Sequence, residues 1–436
     1  MAQVSRRDLR NTPPHNDCRN ELTAAPRISL YYTRIRSLGR PLLVTSLLCA
    51  TQSIGWATTY YLPGALFRQF QEGLNISNST VYLGTSAMLA VGAVIAPAAG
   101  RFIDRAGARP SMVAGSIFLA LGLLLLSQAT GPVDYLMAWV ILGLGFPLAL
   151  VQAASSAAVL LLDKKRASQA IALIVMAIGL APAIGWPLSA HLDQQLGWRT
   201  VCLLYASIHL FICLPLHLAL PKGHKDLHDT PSPQTNIQKP QPSRLSFLFL
   251  TTALTLPGIV TWGLLLHLPA VLVLLNHDST ASVTLASLVG FGQIFGRLIH
   301  LFAQSRLRSA WLGFLALVMM QTSIVIVSLG GSSVLGAWVF LLFFGISAGS
   351  FSITKLTIPI DYYGEATYSL LMGKINFYQN ALFATAPFLL SRFIGASGIT
   401  LMVTFISTLI LLSIISLLLF MKLSSAVRPT SISNRT

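Results

Sequence analysis

Apolar residues run along this chain in long, nearly unbroken stretches, and polar residues gather in the short gaps between them. Twelve such runs fall at approximately 42–66, 81–99, 111–129, 135–160, 169–190, 201–220, 247–274, 282–299, 309–329, 334–355, 367–390 and 398–421. Most are close to the ~20 residues a helix needs to cross the hydrocarbon core of a bilayer. Each is far longer than the ~10 residues of a barrel strand, so helices are predicted throughout. A polar stretch from Lys222 to Arg244 divides the runs six and six.

The two halves echo each other. Gly100–Asp104 reads G-R-F-I-D, and Gly296–His300 reads G-R-L-I-H at the end of another long apolar run. Trp56 and Pro63 stand seven apart, as do Trp262 and Pro269. The offsets are 206 (56 to 262) and 196 (100 to 296), so the second copy is shorter between its first two segments. Paired repeats of this kind build transporters whose cargo site lies between the repeats near the bilayer midplane. The predicted organisation is a basic tail at 1–40, a six-helix bundle at 41–221, a linker at 222–245, a second bundle at 246–422 and a short tail at 423–436.

Composition agrees with a chain that lives in lipid: 54% of residues are apolar and 10% charged, with a mean hydropathy of +0.70. The net charge of +16 suggests a nucleic-acid binder until its distribution is considered. With the amino terminus inside, all Lys and Arg except Arg68, Arg199 and Arg392 fall on cytoplasmic segments. This is the positive-inside pattern, with both termini cytoplasmic and no role for nucleic acid. The tail arginines Arg6, Arg7, Arg10, Arg19, Arg27, Arg34, Arg36 and Arg40 then read as a topology signal that can touch anionic lipid.

No short apolar core with a small-residue cleavage site precedes the first run, so a retained first helix is expected. Cys18, Cys49, Cys202 and Cys213 lack metal-ligand or disulfide spacing. The sequons at Asn75 and Asn78 are short chance-level matches. No G-x-x-x-x-G-K-[ST] loop offers ATP as an energy source, and no cluster of nucleophile, base and metal ligands suggests an enzyme or a cofactor.

G-R-F-I-D-R-A-G-A-R, with Gly100, Asp104, Arg105, Gly107 and Arg109, resembles the loop 2-3 signature of the major facilitator superfamily. The resemblance implies an all-α membrane protein of twelve transmembrane helices in two pseudo-symmetric six-helix bundles. It also implies a gating role for those five residues and for Arg297 in the second copy. Gly179-Leu180-Ala181-Pro182-Ala183-Ile184-Gly185 resembles the helix-five motif of proton antiporters in that superfamily, departing from it at Ala181, and makes Gly179, Pro182 and Gly185 hinge candidates. The stretch Gly185–Pro221, with G-F-G-Q-I-F-G-R at Gly290–Arg297 and L-L-M-G-K at Leu370–Lys374, is similar to a bacterial branch distantly related to monocarboxylate carriers and to drug, siderophore and metalloid exporters. Helix four offers Gly143, Gly145, Pro147 and Gln152 but lacks the buried arginine that many antiporters of the superfamily carry there.

None of the thirteen acids falls in the middle of a predicted helix, which disfavours cationic cargo and leaves anionic or neutral cargo. Lys374 is the leading anion ligand, with Asp361 or Glu365 as possible partners and Asn376 and Gln379 beside it. Lys355 and Arg297 read as gate or surface charges at helix ends. His267 and His209 are the proton-coupling candidates, His267 standing where the first repeat has Tyr61. Tyr61, Trp56 and Trp262 are candidate cavity walls, whereas structural readings lead for His217 and His300.

The expected activity is secondary transport by alternating access, with proton-linked export of a small anionic or chelating metabolite or a metalloid as the lead. Proton-coupled uptake of a monocarboxylate is the alternative. The expected setting is a bacterial inner membrane, with lipid, a small cargo and protons as the partners of a monomer.

Overall fold

The computed structural model describes residues 25–221, 242–396 and 398–425, and these are helical nearly throughout. The linker and tail sequences outside those ranges lie beyond the described residues. Contacts divide the chain after Leu43. The first unit contributes the leading part of helix α1, and everything below concerns Val44 onward.

The helices, in chain order, are α1 (Ala25–Thr58, continued after a turn by Leu62–Leu74), α2 (Asn78–Ala106), α3 (Ala108–Gln128), α4 (Pro132–Leu161), α5 (Lys164–Leu196) and α6 (Trp198–Leu218). The second half supplies α7 (Arg244–Leu274), α8 (Ser279–Ala303), α9 (Ser309–Gly330), α10 (Val334–Gly364), α11 (365–396) and α12 (Gly398–Ser425). Ten of them are long and apolar enough, among the described residues, to cross a membrane. With α1 and α11 they make the twelve-helix fold the apolar runs predict.

Large apolar side chains such as Phe211, Phe302 and Leu329 point outward, at 76–84% exposure. In water such a surface would aggregate; against lipid tails it is the required one. Lipid offers no hydrophobic drive between helices, so close packing and internal hydrogen bonds must hold them together. Small residues make that packing: a Cβ on Gly84 would come within 2.5 Å of the buried Trp139 ring, and one on Gly115 within 2.5 Å of Ala149. Buried hydroxyls recycle helix carbonyls, as when Ser413 Oγ donates to Ala253 O at 2.8 Å.

Glycine is required where one helix turns into the next. Gly107, in the α2–α3 signature, has φ +90°, and Gly197, between α5 and α6, has φ +76°. A side chain is strained at either angle, which explains glycine at these tight corners.

Helix α4 is broken at Leu150 (φ −88°, ψ −154°), three residues after Pro147. The break frees carbonyls that lipid could not satisfy. Ser111 Oγ of α3 donates to Leu148 O at 3.0 Å, and Gln52 Nε2 of α1 donates to Ala149 O at 2.9 Å. A break supported from two neighbouring helices is built in, and it turns Val151 and Gln152 toward the space between the halves.

Candidate functional site

A cavity of about 370 Å³ lies between the two halves. Trp56, Tyr60 and Tyr61 of α1, Val151 and Ser155 of α4, and Ile178 of α5 wall one side. Leu254 and Trp262 of α7, Gln293 and Arg297 of α8, Ser352 and Lys355 of α10, and Phe383 of α11 wall the other. The size and the mostly apolar wall with a few convergent polar groups suit a small ligand.

Arg297 dominates the chemistry. It is 6% exposed, donating from Nη2 to Gln293 Oε1 at 3.2 Å and from Nε to Ser352 Oγ at 3.3 Å. Its Nη1 has no partner among the described residues. The guanidinium passes against Gly179 of α5, where an added Cβ would collide with Nη1. Lys355, half-buried, adds a second cation, and no carboxylate among the described residues lines the cavity. A buried cation without a counter-charge costs several kcal/mol. An anion at 4 Å returns about 4 kcal/mol at an effective dielectric of 20.

One end of the cavity is sealed by aromatic rings. The repeat-related Trp56 and Trp262 meet at 5.7 Å, Tyr60 packs on both, and Tyr60 Oη donates to Trp262 O at 2.5 Å. Trp186 Nε1 donates to Tyr61 O at 2.8 Å behind this plug. On the same side the Phe388 N–H donates to Ser86 Oγ across the halves at 3.1 Å, and the Tyr82 and His267 rings stack at 3.7 Å. The cavity extends the other way, to Ser155 near the close of α4, Leu254 near the start of α7 and Lys355 toward the close of α10.

The structure brings together Trp56, Tyr61, Trp262 and Arg297, and adds Lys355, which the apolar pattern places at a helix end. It does not bring in Lys374 or Asn376. Leu371, Met372, Ile375 and Gln379 form the buried arc of α11; Lys374 and Asn376 are exposed, Asn376 one turn before the equally exposed Asn380. Gln379 is packed, its Nε2 donating to Leu254 O at 3.2 Å. Asp361, offered as a partner for Lys374, instead accepts from the Ser309 N–H at 3.4 Å at the start of α9.

His267 is fully buried outside the cavity wall; its Nδ1 donates to Gly263 O at 2.8 Å and its Nε2 has no partner among the described residues. His209 pairs through Nε2 with Thr58 Oγ1 at 2.9 Å, His217 through Nδ1 with Ser116 Oγ at 2.8 Å, and His300 through Nδ1 with Ser350 Oγ at 3.2 Å. In the α2–α3 corner Asp104 and Arg105 are exposed, Arg109 is half-buried, and Gly100 has open space around it. Gly185 lies against Ala57, and Pro182 is buried.

The sequence understated Arg297 and Lys355 because a hydropathy run ends at a charge. Helix α8 continues six residues past Arg297, and α10 nine past Lys355. The usable signal was the spacing Gln293-x-x-x-Arg297, which puts amide and guanidinium on one helix face.

Residues 47–387 match the Major Facilitator Superfamily. Bovine monocarboxylate transporter 13 is 28% identical over 254 residues, 57% of this chain and 56% of that one. Human monocarboxylate transporter 2 is 27% identical over 175 residues, 39% of this chain and 36% of that one. The chain thus matches about half or less of these relatives' lengths. Among solved structures, a bacterial homologue of the human lysosomal transporter Spinster, in an inward-facing and occupied conformation, superposes with a TM-score of 0.69 at 13% identity, covering 88% of this chain and 97% of that one. A variant of the nucleoside transporter NupG gives 0.68 at 13% identity, covering 88% and 99%. These likenesses are of fold, and with the sequence match they identify the chain as an integral membrane protein that belongs to the Major Facilitator Superfamily.

Proposed function

We propose that this protein is a secondary carrier of small organic monoanions, monocarboxylates first among them, working by alternating access between bundles at 41–221 and 246–422. The observation that carries the reading is the Arg297 guanidinium, buried in the central cavity with Nη1 unpartnered and no carboxylate in the wall. The aromatic plug gives an apolar cargo body a surface to rest on, and the two monocarboxylate transporters among the relatives favour the same cargo class. This places monocarboxylate carriage ahead of export of a chelate or metalloid.

With both termini cytoplasmic in a bacterial cell membrane, the end reached by Lys355 is the cytoplasmic one, and the conformation is open inward. Proton linkage completes the proposal, with His267 as the coupling group. Its unpartnered Nε2 lies on an interface between the halves that separates when the outer end opens. Net direction then follows the sum of the cargo and proton gradients.

Tryptophan fluorescence tests the site, since Trp56 and Trp262 both border it. Hexanoate should quench saturably, and Arg297→Gln should weaken it at least ~30-fold, as expected for removing a charged partner worth about 2 kcal/mol or more. Arg297→Lys should recover only part, because an ammonium cannot hold Gln293, Ser352 and a carboxylate with one planar fork. Equal affinity in wild type and Arg297→Gln would remove the assignment.

A further inference from the structure

A second cavity, of about 190 Å³, sits beside the first at the same depth. It lies between α2, α4, α7 and α11, with contributions from the middle of each: Gly92 to Ala96, Phe146 to Gln152, Trp262, and Asn380 to Ala384. Val151, Trp262 and Phe383 line both cavities and form their common wall. The Trp262 and Phe383 rings are stacked across it, 6.0 Å apart and 17° from parallel.

The wall of this second chamber is largely apolar, its carboxamides being Gln152 and Asn380. Both are exposed to open space, and neither has a hydrogen-bond partner within the protein among the described residues. A carboxamide turned into open space, rather than packed against a carbonyl as Gln379 is, is left free to bond a ligand. Their placement is built: the supported break at Leu150 turns Gln152 into the chamber, and Asn380 lies beside Gln379, whose own amide is tied to Leu254 O. One carboxamide comes from each half of the molecule, so a group bridging them would sit on the interface that moves in the transport cycle.

A carboxamide offers two donors and an acceptor. A pair of them fits an uncharged group that also donates and accepts, such as an amide, and brings no net charge to balance a second ionised group. We propose that this chamber is a second subsite for the uncharged end of the cargo, so that the preferred cargo is a monocarboxylate carrying a terminal amide. The carboxylate would lie at Arg297, the chain along Trp262 and Phe383, and the amide between Gln152 and Asn380. This rests on the anion reading of the first cavity and narrows it to a bifunctional class.

The test compares two homologous series in displacing labelled hexanoate from the full-length protein in proteoliposomes. One series is straight alkyl carboxylates; the other is carboxylates of the same length ending in a primary amide, with two to five methylenes between the ends. At one length the amide acid should bind about tenfold or more tightly than its alkyl match, on the order of what one or two net hydrogen bonds return. In Gln152→Leu/Asn380→Leu that ratio should fall below about twofold, whereas Arg297→Gln should weaken both series together. The single variants Gln152→Leu and Asn380→Leu are read the same way if the double variant does not reconstitute. A ratio near one at every length, or an advantage that survives the double variant, overturns the second subsite while leaving the anion site standing. Failure of every carboxylate to displace hexanoate from wild type overturns both.

Discussion

Gly179 and Arg297 meet across the two halves, and the contact gives a motif glycine a local purpose. Read from sequence, Gly179 is a hinge; in the structure its missing side chain is the room that Nη1 occupies. Gly179→Ala should therefore act on cargo affinity, by about 1–3 kcal/mol of displacement or overpacking, or roughly five- to 150-fold. The check is hexanoate affinity beside thermal stability. A lowered melting temperature with unchanged affinity would return Gly179 to a purely structural role. The two lysines separate in the same way. Lys355→Ala should slow anion transport at least about tenfold, whereas Lys374→Ala, on the exposed arc of α11, should change it less than about twofold. The reverse order would put the anion on α11.

At the scale of the element, the helices were legible because ~20 apolar residues in a row admit few alternatives. What the pattern hid was where a helix continues through a charge, as α8 does past Arg297, and which arc of a helix faces inward, as for Lys374. Helix faces are poorly marked in a membrane, since lipid-facing and buried sides are both apolar. The break in α4 was foreshadowed by Pro147, but its support by Ser111 and Gln52 depends on side chains distant in sequence. That support predicts that Gln52→Leu, which leaves Ala149 O unsatisfied, destabilises the protein by about 1–3 kcal/mol. Thermal unfolding in detergent measures it, and Gln52→Glu, which also removes the donor, should do no better. No loss of stability would mean that water serves the break.

For the whole molecule, repeat-related residues face each other where the cavity is sealed. Trp56 and Trp262, 206 positions apart, touch at the plug, so the internal echo in the sequence pointed at the moving interface. The opposite end carries the α2–α3 corner, whose Asp104 and Arg105 are exposed and without an ion pair among the described residues. On the alternating-access reading these groups engage when that end closes. Asp104→Asn should then slow turnover several-fold with normal insertion and normal hexanoate affinity, and unchanged turnover would remove its gating role. Anion binding at Arg297 and proton coupling at His267 meet in one experiment, hexanoate uptake and internal pH followed together in proteoliposomes under an imposed pH gradient. Wild type should accumulate hexanoate and acidify the lumen beyond the passive leak when the outside is acid, Arg297→Gln should do neither, and His267→Gln should carry anion without following the gradient. Equal uptake by wild type and Arg297→Gln, or wild-type anion movement indifferent to pH, would contradict the account.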